Sequence, residues 1–211
     1  LSLLGVDVRE LFLGAQELLK KELLGSGTET MMSAQVLMTQ YAEGARILNT
    51  FSLAPDLVEL GYWYQQLHGE SLGKNLTRTG EATEAGYVPT VTAPRDLHAV
   101  GQLYFGGGRS VVTVFLTLAR AHGAPLNTHE TLSPLPYLSG KSFEVIDEAI
   151  ARGTIAAYAE KNIPHMQFSL TVGSARDIGA FMAFRMLEVM YLAELFNVDP
   201  FSQPNVELYK S

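Results

Sequence analysis

Apolar residues fall at helical spacing from the first turn of the chain: Leu1, Leu3, Leu4, Val8, Leu11, Phe12, Ala15, Leu18 and Leu19 share one face. That stripe predicts a helix over 3–24, closed by Gly25-Ser26-Gly27 as cap and turn. A second helix is expected from Thr28, in N-cap position, to about Glu43. The period then changes: 46–51 reads as a short strand, and Pro55-Asp56 opens a helix through Tyr62, Trp63 and Leu67 that Gly69 is expected to end. Residues 69–87 are polar and rich in Gly and Thr, which reads as a long loop. A short strand at 89–92 and a helix from about Arg95 to Tyr104 follow. The β-branched run 111–118 is continuous, as in a strand buried on both faces, and belongs at the centre of a parallel sheet. Residues 122–141 hold Pro125, Pro134, Pro136 and Gly140 and read as a connection. Beyond it come a helix from Ser142 to about Lys161, with a break expected near Gly153, and a strand at 165–170. A capping box, Ser174-x-x-Asp177, then opens a long helix to Phe196.

Strands alternating with helices of ten or more residues predict an α/β fold, a parallel sheet covered on both faces with its site among the loops at the strand carboxyl ends. The apolar stretch 178–196 approaches the length of a membrane span, but Arg176, Asp177, Arg185, Glu188 and Glu194 punctuate it, which favours a buried helix of a soluble protein. Three segments are expected: a helical lead-in over 1–44, an α/β domain over 45–198, and a tail over 199–211.

Composition narrows the partners. The 211 residues are 47% apolar and 18% charged, enough to bury a sizeable core. Fifteen Lys+Arg against 22 Asp+Glu give a net charge of −7, which repels a phosphate backbone and argues against nucleic acid. There is no cysteine, so disulfides, thiolate nucleophiles and cysteine metal sites are excluded, and the chain suits the cytoplasm. The first nine residues lack the basic segment and cleavage pattern of a secretory signal, yet the chain starts abruptly on apolar residues, as an excerpt of something longer would.

Two glycine motifs fail on inspection. In Gly69-Glu-Ser-Leu-Gly-Lys74 the glycines stand one residue too close for a phosphate loop, no Ser or Thr follows Lys74, and a helix precedes it. Gly106-Gly-Gly-Arg109 leads into a strand where a dinucleotide fingerprint would leave one. The five histidines, at 68, 98, 122, 129 and 165, form no pair at metal-ligand spacing, and no metal is expected. His98, near a helix start after Pro94, is open to a core or capping role. Glu70 can project into a crevice at the head of the polar loop or be an ordinary solvated glutamate. Lys210, the penultimate residue, reads as tail on position alone.

Four segments, in order, resemble the C-terminal half of the glucose-6-phosphate isomerase family. They are residues 1–15, Tyr62-Trp-Tyr-Gln-Gln-Leu-His-Gly-Glu-Ser-Leu-Gly-Lys74, Asp96-Leu-His-Ala-Val-Gly-Gln-Leu-Tyr104, and Asn197-Val-Asp-Pro-Phe-Ser-Gln-Pro-Asn-Val-Glu-Leu-Tyr-Lys210. The resemblance implies the second sugar-isomerase (SIS) domain of that family, a three-layer sandwich with a parallel sheet of about five strands between helices. It also implies interconversion of glucose 6-phosphate and fructose 6-phosphate through an enediol, without metal or cofactor, in glycolysis and gluconeogenesis. In that scheme Glu70 is the base between C2 and C1, His98 assists ring opening from the opposite subunit of a homodimer, and Lys210 works beside it at the ring oxygen. Lys74, Gln66 and Arg95 are the candidate substrate-binding residues. The family's phosphate-binding Ser/Thr loop and its Gly-Gly-Arg-x-Ser arginine have no counterpart here, so the 211 residues alone are expected to turn over slowly or not at all. Two alternatives stand beside this one: a non-catalytic sugar-phosphate-binding SIS module, and an isomerase that also accepts mannose 6-phosphate. No membrane partner is expected.

Overall fold

The computed structural model of the protein describes residues 5–25, 28–107, 110–119, 123–126, 136–203 and 205–206. Two helices come first, α1 (Val8–Leu23) and α2 (Glu29–Ala42). They are followed by β1 (Ile47–Ser52), α3 (Val58–Leu72), the short strands β2 (Lys74–Leu76) and β3 (Ala82–Ala85), β4 (Val88–Thr92), α4 (Leu97–Gly106), β5 (Val111–Leu118), α5 (Phe143–Glu160), β6 (His165–Leu170) and α6 (Ala175–Leu195). The main sheet has the order β4-β1-β5-β6 and every pairing in it is parallel, so β5 is an interior strand as its apolar run requires. Among the described residues the sheet has four strands where about five were expected. Three details of the sequence reading also change. The stretch 69–87 is no continuous loop, because α3 runs on to Leu72 and an antiparallel β2–β3 ribbon fills most of the rest. Gly153 does not break α5. Thr28 sits at the N-cap of α2 but makes no side-chain capping bond there.

Alternation along the strands sorts the core into two layers. On one face Leu48, Val112 and Val114 pack with Ala34 and Leu37 of α2, Tyr64 and Leu72 of α3, and Val189 and Leu192 of α6. On the other face Phe51, Leu53 and Phe115 meet Tyr158 of α5, with Leu97, Tyr104 and Phe105 of α4 against them. Each fully buried Leu of the first layer contributes about 2 kcal/mol of transfer free energy. Helix α1 lies outside, on α6. Their axes approach so closely that a Cβ on Gly14 would stand 1.9 Å from the carbonyl oxygen of Arg176, and one on Gly179 would stand 1.9 Å from that of Leu11. Arg176 adds a forked bond to Glu17, at 3.0 and 2.6 Å, across the same contact.

The long helix that the sequence marks as buried carries two of its charges inside. Arg185 and Glu188 are both fully buried and pair at 2.7 Å. Tyr64 donates to Glu188 Oε2 at 2.7 Å, and Ser33 donates to Oε1. The guanidinium lies over the rings of Phe168 and Tyr64, at 4.2 and 4.3 Å, while its Nε and Nη2 find no hydrogen-bond partner among the described residues. His68 extends the network. Its Nε2 accepts from the backbone N–H of Tyr87 at 3.1 Å, which can only donate, so the ring proton is assigned to Nδ1, facing the Tyr64 hydroxyl at 3.4 Å.

Two consequences follow for stability. Gly179→Ala forces carbonyl and Cβ apart at the α1–α6 crossing, and urea denaturation should show a loss of about 1–3 kcal/mol with α1 the first element to lose amide protection. Burial, and after it the charge of Arg185, push His68 down from the ordinary 6.5 to about 3. The unfolded chain therefore takes up a proton that the fold refuses, so stability is full above about pH 6.5 and falls as pH drops from there towards 3. Between pH 7 and pH 5 this one residue should cost about 2 kcal/mol in urea titrations, and His68→Gln should remove that share of the slope. Equal slopes in the two proteins would show that His68 is not held neutral.

Candidate functional site

Helix α3 faces two ways. Tyr64, His68, Ser71 and Leu72 are buried at helical spacing, and this inward stripe carries the helix through Gly69, an exposed position where a Cβ would meet nothing within 4 Å. The end comes at Gly73, whose N–H reaches the Gly69 carbonyl at 3.1 Å and where a Cβ would lie 2.7 Å from that oxygen. Of two glycines four residues apart, the sequence pattern favours the first as the stop; the apolar stripe and the close carbonyl decide for the second. Glu70 consequently stands on the last turn of a helix, on the face opposite His68.

The Glu70 carboxylate is exposed, the solvated one of the two placements that its sequence leaves open, yet it is held from two sides. Gln66, one turn earlier, donates to Oε1 at 3.0 Å, and Gln203 donates to Oε2 at 3.0 Å. Gln203 is brought there by the chain after α6: Asn197 turns it with φ 56°, Val198 is fully buried, and the Asp199 carboxylate accepts from the N–H of Phe201 at 3.0 Å. The β2–β3 ribbon meets the same segment, with Arg78 N–H on the Asn197 carbonyl at 2.8 Å and Arg78 Nη1 on Glu194 at 2.6 Å. Lys74, 8% exposed, points back at the helix and donates to the Glu70 carbonyl at 2.7 Å. Burial lowers its pKa, opposed by the nearby charge of Asp199. A hollow of about 300 Å³ opens beside this group, between Lys74 and Arg78 on one side and Asp199, Ser202 and Asn205 on the other.

The other candidates lie elsewhere. His98, the second residue of α4, is exposed, because Leu97, Tyr104 and Phe105 occupy the buried face of that helix. Arg95 is exposed and lies 3.6 Å from Asp96, whose carboxylate accepts from the Ala93 N–H at 2.8 Å and fixes the turn into α4. Since α3 runs back against the strands, its end returns to the amino edge of the sheet, where His68 meets Tyr87 just before β4 begins. His98 follows the end of β4, at the carboxyl edge. The strand between them spans about 13 Å by itself, so one chain does not bring Glu70 and His98 together. Lys210 lies outside the described residues, as do Arg109, His122 and His129. Among the described residues no group of three or more His, Asp or Glu side chains is placed to hold a metal ion. Gln203 is the residue that sequence reasoning passed over. It stands inside the C-terminal motif, but only the fold shows that it touches a carboxylate 133 positions away.

These features define an α/β protein with a helix-borne carboxylate, gripped by two amides at the amino edge of a parallel sheet. Over 212 residues the chain is 28% identical to the glucose-6-phosphate isomerase of Exiguobacterium sibiricum, covering 98% of itself and 45% of that relative. It is also 28% identical to that of Parabacteroides distasonis, covering 100% of itself and 46% of the relative. A hypothetical protein from Thermus thermophilus superposes with a TM-score of 0.88 at 28% identity over 98% of this chain and 49% of that one. A glucose-6-phosphate isomerase from Chlamydia trachomatis superposes with a TM-score of 0.76 at 16% identity, covering 95% of this chain and 41% of the other, which bears on the fold alone. No protein-family model matches the chain. The chain thus resembles the glucose-6-phosphate isomerases along essentially its whole length, and it spans about half the length of the relatives it matches.

Lys74→Met leaves the Glu70 carbonyl without its side-chain donor at the end of α3. Thermal or urea denaturation should register about 0.5–1.5 kcal/mol of lost stability, with faster amide exchange confined to the last turn of the helix.

Proposed function

We propose that this chain carries half of the catalytic apparatus of an aldose–ketose isomerase that interconverts glucose 6-phosphate and fructose 6-phosphate, an activity of glycolysis and gluconeogenesis in the cytoplasm. The observation that supports it most is the Glu70 carboxylate, each of its oxygens held by one glutamine amide in a segment similar to that of the named isomerases. A base that moves a proton between adjacent carbons must keep its oxygens in a fixed plane, and two amide donors from different elements do that. In the opened sugar Glu70 takes the proton from C2 as the C1 carbonyl becomes the enediol hydroxyl, then returns it to C1 as the C2 hydroxyl becomes the ketone. No net redox partner is needed.

The opposite-edge placement of His98 accords with a homodimer in which His98 serves the partner's Glu70, opening the ring by proton exchange. Lys210, in the tail that follows Gln203, steadies the developing charge at the ring oxygen. Exposure of Glu70 in the lone chain means that water is excluded only when the second copy and the remainder of a longer protein close over it. The hexose phosphate itself needs several N–H donors and cations. Lys74 is turned to a carbonyl and Arg95 is remote, so the phosphate grip belongs to the other half. Gln66 and Gln203 are the residues placed to share the carboxylate's plane with substrate hydroxyls. Residues 45–198 form the sugar-isomerase domain, with 1–44 as lead-in and 199–211 as the catalytic tail.

Two measurements test this. In the full-length protein Glu70→Gln should lower kcat for glucose 6-phosphate by about a hundredfold or more with KM little changed, whereas the 211 residues alone should be nearly inactive; unchanged kcat removes Glu70 from the role. Mixing inactive Glu70→Gln and His98→Ala proteins should restore activity, because a hybrid pair holds one site with both groups intact. Failure of the mixture, with subunit exchange verified, would refute the shared site.

A further inference from the structure

Helix α4, which carries His98, is lightly seated. Of its ten residues only Gly101 is buried, while Leu97, Tyr104 and Phe105 make partly buried contact with the sheet and α5. Beneath its second half a hollow of about 150 Å³ opens between Tyr104, Phe105, Thr113 and Tyr158. Apolar contact has no preferred direction, so these side chains hold the helix down without fixing its rotation about its own axis. The turn at Pro94 and the bond from the Ala93 N–H to Asp96 set only where the helix begins.

What fixes the rotation is polar. Thr92, at the end of β4, donates its single hydroxyl proton to Asn49 Oδ1 at 2.7 Å, and can then only accept from the Tyr104 hydroxyl at 3.2 Å. A directed chain results, from Tyr104 on the helix through Thr92 to Asn49 on the interior strand β1. Among the described residues this is the one side-chain hydrogen bond that α4 makes. Asn49 and Thr92 are both buried, and Asn49 Nδ2 finds no partner among the described residues. An apolar residue at 49 would pack between β4 and β5 without leaving an amide donor unpaired, so core packing does not account for the amide. What Asn49 and Thr92 supply is an anchor for one hydroxyl of α4.

That anchor acts as a lever on His98. Tyr104 stands six residues beyond His98, about 9 Å along the axis of the same helix. Side chains reach about 5–6 Å from a helix axis, so a roll of about 15° carries the imidazole about 1.5 Å. A misplacement near 1 Å can cost a positioned group up to about a hundredfold in rate.

We propose that Tyr104, held through Thr92 to Asn49, is the positioning residue that sets the rotation of α4 and so the place at which His98 is presented to the partner's site. The inference rests on the shared-site reading above. In the full-length protein Tyr104→Phe should lower kcat for glucose 6-phosphate about tenfold with KM little changed. Thr92→Val should do the same, while Thr92→Ser, which keeps the hydroxyl, stays close to the parent. Circular dichroism checks that each variant is folded. Mixing then assigns the defect to one subunit. With the Glu70→Gln protein, the Tyr104→Phe chain supplies Glu70 and an intact α4 supplies His98, so activity should rise several-fold over that of Tyr104→Phe alone. With the His98→Ala protein, the site that holds both groups takes its His98 from the altered helix, and no rise is expected. A general loss of stability would not separate the two mixtures. The proposal is overturned if Tyr104→Phe turns over as the parent does, if Thr92→Ser loses as much as Thr92→Val, or if both mixtures or neither recover while Glu70→Gln and His98→Ala complement each other. Should that last pair fail to complement, with subunit exchange verified, the shared site is refuted and this proposal falls with it.

Discussion

One buried ion pair organises this fold. Arg185 and Glu188 lie on the same helix, wholly removed from water, and the cost of desolvating them is offset only because neighbours on three elements complete their coordination. Ser33 of α2, Tyr64 of α3 and the rings of Tyr64, Phe168 and Phe181 around the guanidinium fix how α2, α3 and β6 stand relative to α6. A hydrophobic layer of the same volume would hold these elements together without specifying one rotation of α3. The network does specify it, because Tyr64 must reach Glu188 while His68 reaches the Tyr87 amide.

The rotation of α3 is what links core to site. A helix that turns Tyr64, His68 and Leu72 inward must turn Gln66 and Glu70 outward, since residues four apart share a face. The candidate base is exposed as the obverse of the buried network, two residues and about half a turn past His68, its last member on the helix. The group around it is assembled from distant chain: the end of α3, the β2–β3 ribbon that meets Asn197 through Arg78, and the segment after α6 that brings Gln203. Lys74 closes the helix beneath the carboxylate and offers its charge to a carbonyl, not to a ligand.

Sheet topology then separates the molecule into two working edges. The crossover helix returns Glu70 to the amino edge, while the turn at Pro94 launches His98 from the carboxyl edge. The expectation of a site at the strand carboxyl ends does not describe Glu70, while a cavity of about 340 Å³ opens at that edge. Resemblance to the glucose-6-phosphate isomerases runs at 28% identity along essentially the whole chain, which spans about half the length of those relatives.

By itself the amino-acid sequence determined the order and kind of every main element, because periodicity of 3.6 or 2 and the caps at Ser142 and Ser174 are local properties of the chain. It also carried Glu70, His98 and their motifs. Tertiary structure decided what local signals cannot encode. It placed the end of α3 at Gly73, where a neighbouring carbonyl leaves no space for a Cβ, and paired β2 with β3 inside a stretch whose polarity reads as loop. It buried Arg185 and Glu188 at positions where charge ordinarily marks the surface, since their partners lie up to 155 residues away. It put Gln203 on Glu70 across 133 residues, a contact that exists only once α6 and its turn at Asn197 have been packed.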